Sequence, residues 1–471
     1  MTKPMTTSLA LATILFVVAG CSTLQPPLPE AAPSIPADWP LPATTPATAA
    51  DGTGPITADI GWRDFFADPR LDELVAQALA NNRDLRVAVL NVERARSQYG
   101  IQRADRLPSL GAEVSMTRSG GDNLDVSESY SASAGIAGFE LDLFGRVHNL
   151  SQAALQRYFA TDEARRSAQL SLIAEVANTW LALAADRELL SIAQATFASQ
   201  EASFKLTQQR HDLGAVSGLD VSQARTVVET ARSDVARFEG QVAQDRNALV
   251  LLVGGPVDPS LLPDAFTPQV SGLARLPAGL PSEVLLRRPD VLAAEYQLRA
   301  ANADIGAARA AFFPSITLTG SVGSTSDELS GLFNGGNGIW SFIPQINIPI
   351  FQGGRLTSAL GMATADRDIA LAEYEKAIQS GFREVSDALA LSRTLAEQRA
   401  AQEALVAAAT RTHELSQARY DAGQDSYLVL LDAQRTLYAA RQSLVATQLA
   451  EQANRVTLYR VLGGGWNETG T

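Results

Sequence analysis

The chain has 471 residues, 46% hydrophobic but only 6% aromatic, with a net charge of −13. The acidic balance excludes a nucleic-acid partner, which requires a concentrated basic surface. An apolar content made mainly of Ala, Leu and Val favours helices packed through small residues over a bulky globular core.

Residues 1–20 read as an export signal: Lys3 supplies the positive start, Leu9 to Val18 the apolar stretch, and Val18-Ala19-Gly20 the small residues before Cys21. Cys21 is the sole cysteine, so no intramolecular disulfide can form. Its position just after a cleavable apolar stretch matches a lipidation box, and Ser22 directs such a lipoprotein to the outer membrane. Residues 21–58 are rich in Pro, Ala and Thr and read as an extended, lipid-anchored tether.

From there the chain is written twice. A first repeat (59–255) and a second (281–465) flank a linker (256–280), and a short tail (466–471) follows. Arg210, Gly214, Ser217 and Gly254 match Arg419, Gly423, Ser426 and Gly463, each 209 residues later. Asp68-Pro69 opens a helix whose apolar residues Leu71, Leu74, Val75, Ala78 and Leu79 share one face; Asn81-Asn82 breaks it. A second run covers Leu85 to Arg106. In the second repeat a helix opens at Pro281–Glu283, Arg288-Pro289-Asp290 interrupts it, and Val291 to Phe313 follows.

After Pro108 and Pro314 the apolar period becomes two. Leu110, Ala112, Val114 and Met116 alternate with Gly111, Glu113, Ser115 and Thr117; Ile316, Leu318 and Val322 alternate with Thr317, Thr319 and Ser321. Return strands hold Phe139, Leu141 and Leu143, and Trp340, Phe342, Ile346, Ile348 and Ile350. Gly- and Ser-rich loops at Ser119–Ser129 and Gly323–Gly338 join two hairpins, about 109–143 and 315–351, and Pro349 marks a ladder near its end. Four strands with one apolar and one polar face suit a membrane barrel but cannot close one, since closure needs at least eight. Two, three or four chains would supply eight, twelve or sixteen.

Proline-free helical runs then cover Arg146 to Leu213 and Gly354 to Ala422, each about 100 Å long at 1.5 Å per residue. After a glycine turn, shorter antiparallel helices return, Ser217–Val253 and Ser426–Leu462. The period and charged flanks predict coiled-coil-like hairpins (about 146–253 and 354–462) that pack against partners. His148, His211 and His413 are isolated in sequence, Gly463-Gly464-Gly465 follows a helix without a Lys-Ser/Thr tail, and no nucleophile elbow occurs. Neither an enzyme nor a metal or cofactor site is expected.

The span from about Asp59 to Gly465 resembles the TolC-like outer-membrane efflux factors, in their NodT-like lipoprotein branch. Cys21, PSLGAEVS (108–115), PSITLTGS (314–321), FELDLFGR (139–146), INIPIFQGGR (346–355) and RYDAGQDSYLVLLDAQRTLY (419–438) carry the resemblance. It implies a homotrimer whose twelve strands form an outer-membrane barrel continuous with a periplasmic α-helical barrel. It implies a periplasmic adaptor and an inner-membrane transporter as partners, passage of small toxic compounds, and no cofactor. The same fold also serves as the exit duct of protein secretion systems, the second reading; a periplasmic adaptor would not need four alternating strands. The resemblance puts the aperture at the hairpin tips, 214–220 and 423–432, with Leu428 and Asp432 ringing it. Three Asp432 side chains near one axis would repel one another and select cations. Asp220 and Tyr420 take the latch positions. Asp425 stands where the family carries a basic residue, so an approach to Asp220 is expected to be repulsive.

Overall fold

The computed structural model describes residues 23–33, 35–36, 39, 57–122, 124–264, 266 and 284–465. The export signal, Cys21, most of the linker, the helix start at Pro281–Glu283 and the tail lie outside the described residues. Eight helices are named here: α1 (Trp62–Phe65), α2 (Pro69–Asn81), α3 (Arg83–Ala104), α4 (Arg146–Asp212), α5 (Gly218–Val253), α6 (Pro289–Ala310), α7 (Arg355–Asp421) and α8 (Tyr427–Val461). Four strands, β1 (Leu110–Gly121), β2 (Leu124–Leu141), β3 (Ser315–Ser326) and β4 (Gly338–Asn347), form one sheet. The chain divides into two compact units.

The first unit (1–33, 90–163, 292–377) holds the sheet, antiparallel throughout in the order β1-β2-β3-β4. Register gathers Leu110, Ala112, Val114 and Met116 with Ala132, Ala134, Val322, Phe342 and Ile346 on one face. That face is exposed along the edge strands, Val114 to 75% and Trp340 to 78%, and mostly half-buried on β2 and β3. The opposite face is polar, with Ser115 bonded to Ser131 and Ser321 to Ser341, both at 2.8 Å. Edge strands β1 and β4 each pair on one side only.

Three strand details depart from the sequence expectation. Ser119–Ser129 is mostly ladder, since Ser119 pairs with Ser127 and the turn is confined to the residues around Asp122. Its serines resemble loop residues because the polar face of this sheet is itself serine-rich. A bulge lies between Ile136 and Phe139, where Gly138 (φ 63°) donates its N–H to Thr319 Oγ1. That extra residue returns Phe139 and Leu141 to the apolar face after Ile136, which simple alternation would not allow. β4 ends at Asn347, before Pro349, while Pro344 lies inside this edge strand opposite Leu318.

In the same unit the segment after Cys21 is extended and docked. The Leu24 carbonyl accepts from Arg309, the Pro26 carbonyl from Asn302, and the Ala32 N–H donates to Glu375. Residues 23–33 therefore lie against α6 and α7 as a strap.

The second unit (34–89, 164–291, 378–471) carries the aromatic core. Asp68 caps α2 through the Arg70 N–H, and Pro69 occupies the first turn, where its missing N–H costs nothing. The buried face of α2, Leu71, Leu74, Val75 and Ala78, packs with Trp180, Leu181, Leu249 and Val456. Phe65 stacks on Tyr459 at 3.9 Å, and the Tyr459 hydroxyl donates to the Ile60 carbonyl. Among the described residues α4 alone has an 18-residue window apolar enough to cross a membrane; 61% of it is buried here as core.

One contact repeats with the duplication. Asn82 ends α2, accepts the Leu85 N–H on its side chain and donates from Nδ2 to the Leu252 carbonyl at 2.8 Å. Arg288, its counterpart 206 residues later, donates from Nη1 to the Val461 carbonyl at 2.9 Å. Leu252 and Val461 are themselves 209 apart, in the last turns of α5 and α8, where carbonyls lack helical partners. Each repeat thus pins its returning helix with the residue that precedes α3 or α6.

Candidate functional site

The backbone bonds that end α4 and α7 repeat at the two hairpin tips. At the end of α4 the Gly214 N–H donates to His211 and the Ala215 N–H to Arg210; at the end of α7 Gly423 donates to Tyr420 and Gln424 to Arg419. These are paired Schellman caps, and they need a left-handed residue, supplied by Gly214 (φ 77°) and Gly423 (φ 69°). Ser217 then opens α5 with a capping box: its Oγ accepts the Asp220 N–H, and Asp220 accepts the Ser217 N–H. Ser426 opens α8 without a side-chain cap bond.

The two matched arginines diverge. Arg419 forms a two-pronged pair with Asp425, at 2.5 and 3.0 Å, within its own turn. That bonding holds the Asp425 carboxyl below the usual carboxylate range. The residue matching Asp425 in the first repeat is Val216, so Arg210 lacks the acid that Arg419 pairs with, and the nearby Asp212 accepts from Gln208 instead. It reaches the second hairpin instead, donating to the Tyr420 hydroxyl at 3.2 Å with its guanidinium 5.4 Å from that ring. Tyr420 also lies against an apolar cluster of Ala224, Tyr427, Leu430 and Leu431.

Leu428 and Asp432 are both exposed, Leu428 to 59%, while Leu430 and Leu431 between them are buried. Their i, i+4 spacing places them on one face of α8, turned away from the cluster. Within the chain Asp220 bonds Ser217 and Tyr420 bonds Arg210, so the fold does not join the two latch residues to each other. The repulsion expected of Asp425 is removed by Arg419, a partner six residues away that a comparison by position alone passes over. Arg210 is not singled out by the sequence motifs; the absence of an acid at Val216 is the signal that it bonds across to Tyr420. His211 closes its own turn, with Nδ1 3.0 Å from the Val216 carbonyl oxygen. Among the described residues no cluster of three His, Cys, Asp or Glu side chains could hold a metal ion.

The sequence pattern of the outer membrane efflux protein family matches residues 74–255 and again 280–464. The chain is 45% identical over 468 residues to the probable efflux pump outer membrane protein TtgC of Pseudomonas putida, covering 98% of this chain and 96% of that one. It is 44% identical to outer membrane protein OprJ of Pseudomonas aeruginosa, covering 89% of each. Its fold matches the open state of the Neisseria gonorrhoeae MtrE outer membrane channel with a TM-score of 0.86 at 39% identity, over 96% of this chain and 100% of that one. Two matched halves, a four-stranded sheet with an exposed apolar face and paired helical hairpins place the chain in the outer membrane efflux protein family.

Proposed function

We propose that three copies of this outer-membrane efflux channel close one barrel and one helical tunnel, gated at the hairpin tips. The sheet is the observation that carries this reading. Its apolar face suits lipid, whereas the open backbone edges of β1 and β4 cannot face hydrocarbon and must pair with neighbouring copies. Three copies give twelve strands, with the serine-rich face lining the lumen. A periplasmic adaptor and an inner-membrane transporter feed the tunnel, and the transporter supplies the energy. Relatives named for antibiotic, toluene and solvent efflux favour small, largely apolar toxic compounds as cargo. Lipidation of Cys21 adds an anchor beside the docked strap, in contact with outer-membrane lipids.

Leu428 and Asp432 ring the aperture in this reading. Tyr420 latches the tips, held by Arg210 within one chain and by Asp220 when the tips close together. Expression in an efflux-deficient strain with its cognate adaptor and transporter tests the function. The protein is expected in the outer-membrane fraction as an oligomer that dissociates only on boiling, and it should restore resistance to solvents and dyes. A monomer in the inner-membrane fraction, or restored protein secretion without restored resistance, would overturn the reading.

A further inference from the structure

In the second unit α8 seats itself on the first hairpin. Tyr427, Leu430 and Leu431 pack with Ala224 of α5, joined by Phe204 of α4 and Val227 of α5. Farther along α8, Gln434 Oε1 accepts from Gln200 of α4, and the Tyr438 hydroxyl donates to Asp234 of α5, both at 2.9 Å. So α8 fills a socket between α4 and α5, with one polar bond to each wall.

The duplication gives the chain both of these surfaces a second time. Arg225 and Glu229, 209 residues before Gln434 and Tyr438, are exposed and line an open groove of about 640 Å³ along α5 with Ser222 and Thr226. Ala409 and Ala433, 209 residues after Gln200 and Ala224, line a groove of about 270 Å³ between α7 and α8 with Thr412, Asp432 and Thr436. Each chain thus fills one socket with its own α8 and leaves one seating face and one socket unused. Head-to-tail surfaces of this kind are satisfied by a second copy, and they close into a ring when the rotation between copies allows it.

Size and charge also match. Where Gln434 meets Gln200, the unused pair is Arg225 and Ala409, a longer side chain opposite a shorter one. Among the described residues that line the α7–α8 groove, Asp432 carries the only charge, opposite in sign to Arg225.

We propose that α5 of each copy seats in the α7–α8 groove of its neighbour, with Arg225 over Ala409 and its guanidinium on the Asp432 carboxylate. Within the trimeric reading, on which this contact rests, the gate residue Asp432 is held by the next copy. Ring closure and the aperture are then built by the same contact.

Cross-linking of the full-length protein in outer membranes tests the seating. Arg225→Cys combined with Thr412→Cys, an exposed position in the same groove, should be joined by a short bifunctional thiol reagent into covalent dimers and trimers. Either cysteine alone should not. Charge exchange gives the second readout: Arg225→Glu and Asp432→Arg should each lower the temperature at which the oligomer dissociates in SDS, and the double variant should recover most of the loss. A trimer that does not cross-link would overturn the seating and leave the trimeric reading intact, whereas a monomer would overturn both. A double variant with no recovery would overturn the Arg225–Asp432 contact.

Discussion

Arg288→Ala should destabilise the protein by about 3 kcal/mol, the lower end of the effect of breaking a buried ion pair. Arg288 is only 5% exposed and bonds Asp290 through Nε and Nη2, Glu384 through Nη2 and the Val461 carbonyl through Nη1. Alanine would leave two carboxylates facing each other and a last-turn carbonyl without a donor. Both acids keep some water, which is why the estimate stays low in the range. Asn82→Ala, the matched change in the first repeat, removes a neutral amide and should cost about 1–2 kcal/mol. Urea midpoints of the detergent-solubilised variants measure the difference. Equal losses would show that the Arg288 charge network contributes nothing beyond the shared pin to the helix end.

Phe342→Arg and Ser341→Arg should separate the two faces of the sheet. These neighbours on β4 stand at the same depth but on opposite sides, Phe342 opposite Gly320 and Ser341 opposite Ser321. Arginine on the lipid side should cost about 2–4 kcal/mol per chain if the strand centre lies at the bilayer midplane. Arginine on the polar side meets water and should be tolerated while shifting ion selectivity towards anions. Refolding into vesicles, followed by urea titration, reads the first effect; reversal potentials read the second. A Ser341→Arg protein that fails to insert while Phe342→Arg inserts normally would invert the face assignment.

Much of this architecture was legible because long helices announce themselves. The expected bounds 146–213 and 354–422 differ from α4 and α7 by one residue at the ends, since Gly214 and Gly423 are strong stops. The strands were legible by period, but not the bulge at Gly138, because one inserted residue changes phase without changing composition. Ser119–Ser129 was misread because a water-lined face tolerates the small polar residues that otherwise mark loops. The extended course of the strap at 23–33 was legible from its prolines, but its docking residues were not, because its bonds are made mostly by its own carbonyls, which any sequence carries. At the tips, Leu428, Asp432 and Tyr420 came from the family resemblance. It missed Arg210, whose partner depends on what its own turn lacks.

Single-channel conductance of the reconstituted protein in planar bilayers tests the gate most directly. In the proposed gate Leu428 narrows the aperture and Tyr420 latches the tips, so wild type is expected to conduct weakly. Leu428→Ala and Asp432→Ala should each raise conductance several-fold, and Asp432→Ala should also weaken cation selectivity. Arg210→Ala and Asp220→Ala should raise conductance without altering selectivity, and Ser217→Ala, which removes the cap alone, should do neither. Unchanged conductance and selectivity in Leu428→Ala and Asp432→Ala would contradict a gate at the hairpin tips.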